Sequence, residues 1–364
     1  MIREYTKVMK FAESSPELYT AFRDYANHVM AERGVKGKTF SEISLDEKEQ
    51  VINKLFAEEI EKRSGLTVAT FDGSFARYGT NPLVRSFADS IADYMIDMIL
   101  PETLIQSIGM IADFRFGGFG DSFSFDIENN ALFTVSKAGR RQRTAPAQRL
   151  TNTTVTLAPE NHMVTVASNL PNILAGRESI AKFVMKAVRS IETAMLYEAY
   201  DAFYTAMESV SLPANLTVAN YTENSLISLC ERVTAYNGGR KAMIVGTAVA
   251  LKSVLPSSLN TRILLSDEYV TAGALREFNG YGILQTGQIA DYTSNDYSLK
   301  LKDDRLYVVS PASDKLVKVA VEGESLTHTD GTFDRANLSQ FGSISKAWAT
   351  SCITNSVAGV VKLG

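Results

Sequence analysis

DSFSFDIENNALFTVSKAGRRQRTAPAQRLTNTTVTLAPENHMVTVASN (Asp121–Asn169), closed by Pro171 and followed by ESIAKFVMKAVRSIETAMLYEAYDAFYTAM (Glu178–Met207), is the stretch on which the fold turns. Runs such as TNTTVTL and MVTVA alternate with a period near two and end in turn residues, the pattern of half-buried strands. The spacing predicts two strand pairs: Ser122–Ile127 with Ala131–Val135, and Thr151–Leu157 with His162–Ala167. Between the pairs, Lys137–Leu150 holds Lys137, Arg140, Arg141, Arg143 and Arg149, and no acid occurs from Asn129 through Pro159. From Glu178 the apolar period becomes helical. Ile180, Val184, Val188, Ile191, Met195 and Ala199 form one stripe. Leu196, Tyr200, Phe203 and Met207 form a second, while Lys182, Lys186, Arg189 and Thr193 mark the wet face. Such a helix of about 30 residues is roughly 45 Å long. Its second half is apolar over more than one face, so it is expected to touch another lobe or another subunit.

Outward from this stretch, residues 1–65 read as helical and charged. Leu45-Asp46-Glu47-Lys48 leads into Val51, Ile52, Leu55, Phe56 and Ile60, apolar steps of three and four behind an acidic first turn. Their modest apolar stripes suggest docking on a neighbour rather than a core role. Leu66–Tyr78 reads as irregular. Helices are predicted over Pro82–Met98 and from Pro101 to Met110, then a glycine hinge at Phe114–Gly120. After Leu212-Pro213, Glu223–Tyr236 reads as a helix with Leu226, Leu229, Val233 and Tyr236 on one face and Asn237-Gly238-Gly239 as its stop. A strand at Ala242–Val245, a helix over Thr247–Val254 and a helix near Ser266–Phe278 follow. Strands are predicted at Gly282–Gln285, Ser298–Lys300, Arg305–Val309 and Leu316–Glu322, and within Ser343–Val361. The expectation is one interwoven α+β unit with protruding arms.

The 364 residues are 45% hydrophobic and 21% charged, enough for a sizeable core. A net charge of −4 argues against a dedicated nucleic-acid binder, whose affinity rests on neutralising phosphates. No apolar run is long enough for a membrane span, and the N-terminus lacks a basic-then-apolar leader pattern. Cys230 and Cys352 sit in separate apolar segments and read as free thiols of an intracellular product. The composition fits a soluble protein made in the cytoplasm.

Little here reads as catalytic. His28, His162 and His328 are scattered without metal-ligand spacing. Gly-Gly-Phe-Gly at 117–120 precedes a strand and lacks the Lys-Ser/Thr of a phosphate loop; Gly238-Gly239 follows a helix, the reverse of a dinucleotide fingerprint. Neither a Gly-x-Ser-x-Gly elbow nor a His-Glu-x-x-His helix occurs. No cofactor, metal or enzymatic activity is expected. The basic cluster Lys137, Arg140, Arg141, Arg143 and Arg149 has three readings: a solvated loop tip, a nucleic-acid contact, or an inter-subunit contact. The nucleic-acid reading lacks aromatic residues interleaved for stacking. The inter-subunit reading rests on bidentate bonds to carboxylates next door, with Asp303-Asp304 and Glu322-Gly323-Glu324 as acidic stretches.

The order of these elements resembles the tailed-phage major capsid protein family, the Hong Kong 97-type shell fold also used by encapsulins. The resemblance covers roughly residues 100–364 and rests on element order, not on an invariant motif. It implies residues 1–120 as N-terminal helical region and arm, with 121–169 as extended β loop. Residues 170–211 and 311–342 become a peripheral lobe with a spine helix; 212–310 and 343–364 become an axial lobe with closing strands. It also implies self-assembly into an icosahedral shell around phage double-stranded DNA, through hexamers and pentamers, in the host bacterial cytoplasm. Scaffold, portal and decoration proteins are the further partners it brings, with packaged DNA contacted weakly and no membrane. The loop-tip cations would then meet a neighbouring subunit. Some members of the family join a loop lysine to a neighbour's asparagine. Lys137 and Asn355 supply the residue types, but no acid follows Asn355 to serve as base, so a non-covalent shell is expected. The alternatives are an encapsulin-like compartment, whose usual chain is shorter, and an unrelated α+β enzyme.

Overall fold

The computed structural model describes residues 15–32, 37–64, 82–109, 111–127, 152–168, 179–209, 212–254, 277–288, 296–299, 301–310, 315–329, 340–353 and 355–363. Three helices come first: α1 (Pro16–Glu32), α2 (Leu45–Ser64) and α3 (Pro82–Ile108). Strands β1 (Ala112–Gly117), β2 (Phe123–Ile127), β3 (Thr153–Leu157) and β4 (Glu160–Ser168) lead to the long helix α4 (Ile180–Ser209). Next come β5 (Thr217–Val218), α5 (Glu223–Tyr236), β6 (Met243–Thr247) and α6 (Ala248–Leu251). The chain continues through β7 (Glu277–Phe278), β8 (Tyr281–Thr286) and β9 (Arg305–Val309). It closes with β10 (Val317–Thr329), β11 (Gln340–Cys352) and β12 (Gly359–Lys362).

The strands form three sheets in an α+β arrangement. A four-stranded sheet runs β1-β10-β11-β4, with β1 parallel to β10 and the other pairs antiparallel. A six-stranded sheet runs β5-β12-β9-β6-β8-β7, and β2 pairs β3 as a separate antiparallel ribbon. α4 packs on the four-stranded sheet and its apolar stripe is buried: Val184, Val188, Ile191, Met195 and Ala199 are all at or below 2% exposure. Its last turns reach the six-stranded sheet. Phe203 and Tyr204 meet Tyr307 of β9 edge-to-face at 5.4 and 4.9 Å, and the Tyr204 hydroxyl lies 3.3 Å from that of Thr286. The second apolar face of the helix thus has its partner within the same chain. Burial pushes the Tyr200 hydroxyl up to about 12, and the neighbouring Tyr204 adds to the effect. α5 matches its predicted span, with Leu226, Leu229 and Val233 buried, but Tyr236 turns out to solvent. Gly238 and Gly239 follow it with φ of +69° and +81°, the left-handed backbone that makes glycine the natural stop.

Several expectations are corrected. β3 pairs with β2, not β4; Phe123 faces Leu157 and Ile127 faces Thr153. β4 pairs instead with β11, from Gln340 opposite Ser168 to Trp348 opposite Glu160. Alternation specifies that a segment is a strand but not which strand it joins. Pro101 does not start a second helix: α3 runs through it. Position 101 lacks an N–H, yet burial of Ile96, Ile99, Leu100, Leu104 and Ile108 on both sides holds the helix together. Phe114–Gly117 is strand rather than hinge, and Glu277–Phe278 is strand rather than helix end. A Cβ on Gly117 would lie 2.8 Å from the Phe123 ring, so glycine there serves packing. Of the stretch 343–364, only β12 joins the six-stranded sheet; β11 lies beside β10.

The N-terminal helices are core, not strap. Leu18, Phe22, Ala26, Met30, Ile52 and Phe56 are at most 1% exposed and belong to one apolar cluster with α3, α4 and the four-stranded sheet. Polar ties reinforce this packing. Tyr25 donates its hydroxyl to Glu49 at 3.0 Å, and Lys182 of α4 reaches Glu49 and Asp46 of α2 at 3.0 and 3.3 Å. The Leu66–Tyr78 stretch, the strand at Ala131–Val135 and the helix start near Ser266 lie outside the described residues.

Candidate assembly surface

The loop-tip residues Lys137, Arg140, Arg141, Arg143 and Arg149 lie outside the described residues. What is described is the foot of the segment that carries them. The ribbon is anchored on the sheet by Phe123, Phe125 and Leu157 packed against Ala320 of β10. Arg115 of β1 donates to the Ser124 carbonyl and places its guanidinium 4.5 Å from the centre of the Phe125 ring. Lys318 lies 5.9 Å from the same ring. These contacts combine apolar burial with cation–π attraction and fix the ribbon's point of departure.

Beside that foot, a groove of about 1280 Å³ runs between α3, β1, the turn after β1, and a bulge in β10. The bulge lies between Glu322 and Leu326, where the register with β11 shifts and Gly323 takes a φ of +66°. A buried ion pair sits beneath it. Lys346 of β11 bonds Asp97 of α3 at 2.7 Å with both side chains 3% exposed, and donates to the Gly323 carbonyl at 2.8 Å. Asp97 also accepts from the Ser325 hydroxyl at 2.6 Å and the Ser325 amide at 3.1 Å. With these bonds the pair is well satisfied, the condition for burying charge at tolerable cost. It fixes the bulge that presents Glu324 and Leu326 to the groove. Across it, the Gly118–Asp121 turn is closed by Asp121, whose carboxylate accepts from the Gly118 amide at 2.6 Å. The Gly120 amide, at φ +80°, donates to Glu322 at 2.6 Å, tying turn to bulge.

No protein-family model and no curated protein matches this chain. Among solved structures, it is similar to the mature capsid of bacteriophage PhiM1, at 13% identity over 70% of this chain and 85% of that one, with a TM-score of 0.43. The capsid of the cyanophage P-SCSP1u is similar at 10% identity over 70% and 86%, TM-score 0.44. A virus-like particle from Pyrococcus furiosus is similar at 9% identity over 72% and 96%, TM-score 0.41.

Of the acids singled out in the sequence, Asp303 is engaged internally, accepting from Thr247 at 2.5 Å and Gln288 at 2.7 Å. Asp304 stays largely exposed, 3.6 Å from its neighbour Arg305. Glu322 and Glu324 line the groove. The groove is not legible in the sequence, because Gly323 and the apolar Ile105, Phe116 and Phe119 converge only once β1 lies beside β10.

The groups that carry chemistry elsewhere are used structurally. His162 stacks on Trp348 with ring centres 3.7 Å apart; Trp348 donates to Glu198 at 2.6 Å, and His162 lies 3.5 Å from that carboxylate. His28 stacks on Phe40 at 4.4 Å. Cys230 and Cys352 are free thiols, and burial pushes them up to about 12 and about 11, away from thiolate reactivity. Among the described residues, no group of three or more His, Cys, Asp or Glu side chains could hold a metal ion, and no helix is long and apolar enough to cross a membrane.

Proposed function

We propose that this chain is a structural subunit of the Hong Kong 97-type: a major capsid protein that assembles into a closed icosahedral shell around phage double-stranded DNA. One observation carries the reading. A single 30-residue helix ties a four-stranded sheet to a six-stranded sheet, while an antiparallel ribbon, packed on the four-stranded sheet at Ala320 of β10, bears the arginine-rich segment 137–149. Such a body offers surfaces at both lobes and on an arm, which suits tiling by repeated heterologous contacts that close into rings. The partners are then other copies, in hexamers and pentamers. Scaffold, portal and decoration proteins are its further partners, and packaged DNA is touched weakly, in keeping with a net charge of −4. Its place is the virion capsid, built in the host bacterial cytoplasm. An enzymatic role is not part of the proposal.

Negative-stain microscopy of the expressed full chain tests this. Closed particles of uniform size support a shell, and nuclease-protected DNA in particles from infected cells separates a capsid from a protein-filled compartment. A monodisperse monomer at all concentrations overturns the proposal.

A further inference from the structure

The chain contains two Asn-Gly pairs, Asn237-Gly238 and Asn279-Gly280. Glycine has no Cβ, so its backbone nitrogen can close on the side-chain amide of a preceding asparagine. The fold treats the two pairs in opposite ways. Asn237 is 2% exposed and its amide is fully engaged. It donates to the Val233 and Val357 carbonyls at 2.8 and 2.9 Å and accepts from the Val357 amide at 2.9 Å. Asn279 and Gly280 instead form the exposed two-residue turn between β7 and β8. Their φ values of +51° and +78° are those of the mirror-image hairpin turn that this dipeptide favours. A Cβ at Gly280 would meet nothing within 4 Å, and no partner among the described residues holds the Asn279 side chain.

We propose that Asn279 is a site of spontaneous deamidation in the folded chain, with water as the only co-reactant, and that the fold exempts Asn237. The Gly280 nitrogen gives up its proton to water and bonds to the Asn279 Cγ. The Cγ–Nδ2 bond breaks and ammonia leaves, which closes a succinimide ring. Water then adds to either ring carbonyl and opens the ring to aspartate or isoaspartate. The sum is one water taken up and one ammonia released, with no oxidation or reduction. Closing the ring requires the tip to leave its left-handed turn. β7 is held by two residue pairs at the end of the six-stranded sheet, so a local opening suffices. Asn237 must instead lose three hydrogen bonds inside a packed region. Each event makes the chain one unit more negative than its −4. An isoaspartate also lengthens the backbone beside Phe278, which is buried in one apolar cluster with α5.

Peptide mass spectrometry of the full chain tests this, after incubation at mildly alkaline pH in heavy-oxygen water, folded or in urea. Digestion in ordinary water ensures that only conversion during the incubation carries the heavy oxygen. In the folded chain, position 279 should yield a chromatographically separable aspartate and isoaspartate pair with the label in the new carboxylate. Asn237 in the same molecules should convert about tenfold more slowly or less, because it reacts only through a larger opening. In urea the two rates should converge, which assigns the difference to the fold and not to the neighbouring residues. Equal conversion of both positions in the folded chain overturns the proposal. So does an Asn279 that stays intact when folded over a period in which the urea-treated chain has converted.

Discussion

Asp97 and Lys346 illustrate how much a single pair of side chains can hold. Each is buried, and each satisfies more than the other: Lys346 bonds the Gly323 carbonyl and Asp97 bonds Ser325. Lys346→Met removes the cation and leaves a buried carboxylate facing its remaining partners, which costs about 3–5 kcal/mol. Urea denaturation of the variant should show a correspondingly lower midpoint, and an unchanged midpoint would mean that the pair is solvated in solution. Asp24 adds an acid-sensitive contact between α1 and α2. Burial raises its carboxyl, but bonds from Lys48 and Ser41 and the charge of Lys48 outweigh this and hold it below the ordinary 3.8. A lowered folded-state value means that its contribution is complete above 3.8 and is lost as pH falls through the folded value. Wild type should therefore lose stability below that pH more steeply than Asp24→Asn. Parallel acid titrations followed by circular dichroism compare the two, and coincident curves would contradict the assignment.

Elements were legible to the degree that their signals are local. α4 and α5 emerge from their apolar stripes within one or two residues of their ends, and the Asn237-Gly238-Gly239 stop is visible in three letters. Strand existence was legible for β3, β4, β9 and β10, but partnership was not. Thr165 and Ser343 face one another across β4 and β11 although 178 positions apart, and no local pattern encodes that meeting. The N-terminal helices misled for a related reason. The charges of α2 suggested a docked strap, yet Ile52 and Phe56 are buried once α3 and α4 are in place. A chain beginning at Gly65 should therefore lose cooperative unfolding, because it exposes the faces of α3 and α4 that these helices cover. Phe22→Ala should cost about 3–5 kcal/mol for the same reason. A truncated chain with a wild-type thermal transition would return these helices to the role of a strap. Ile191→Pro strikes the middle of α4, where it removes a backbone bond and clashes with the preceding turn, at a cost of about 3 kcal/mol or more. Insoluble or misfolded protein is expected, read by solubility and circular dichroism.

At the scale of the whole molecule, function depends on contacts between copies, which a single chain specifies only through its surfaces. The arginine-rich segment 137–149 was legible as charge; the groove lined by Glu102, Asp121, Glu322 and Glu324 was not, because it is assembled from α3, β1, β10 and β11. Whether copies are joined by covalent bonds follows from which groups can react. An isopeptide bond between Lys137 and Asn355 of a neighbour needs a carboxylate to take the lysine's proton. Asn355 is exposed in the connection between β11 and β12. Non-covalent contacts between copies need no such base. Shells boiled in detergent and run on a denaturing gel should therefore give one band at the 39.9 kDa of the single chain. A ladder of multiples would show that copies are welded together, and that a carboxylate from another part of the fold has reached the lysine.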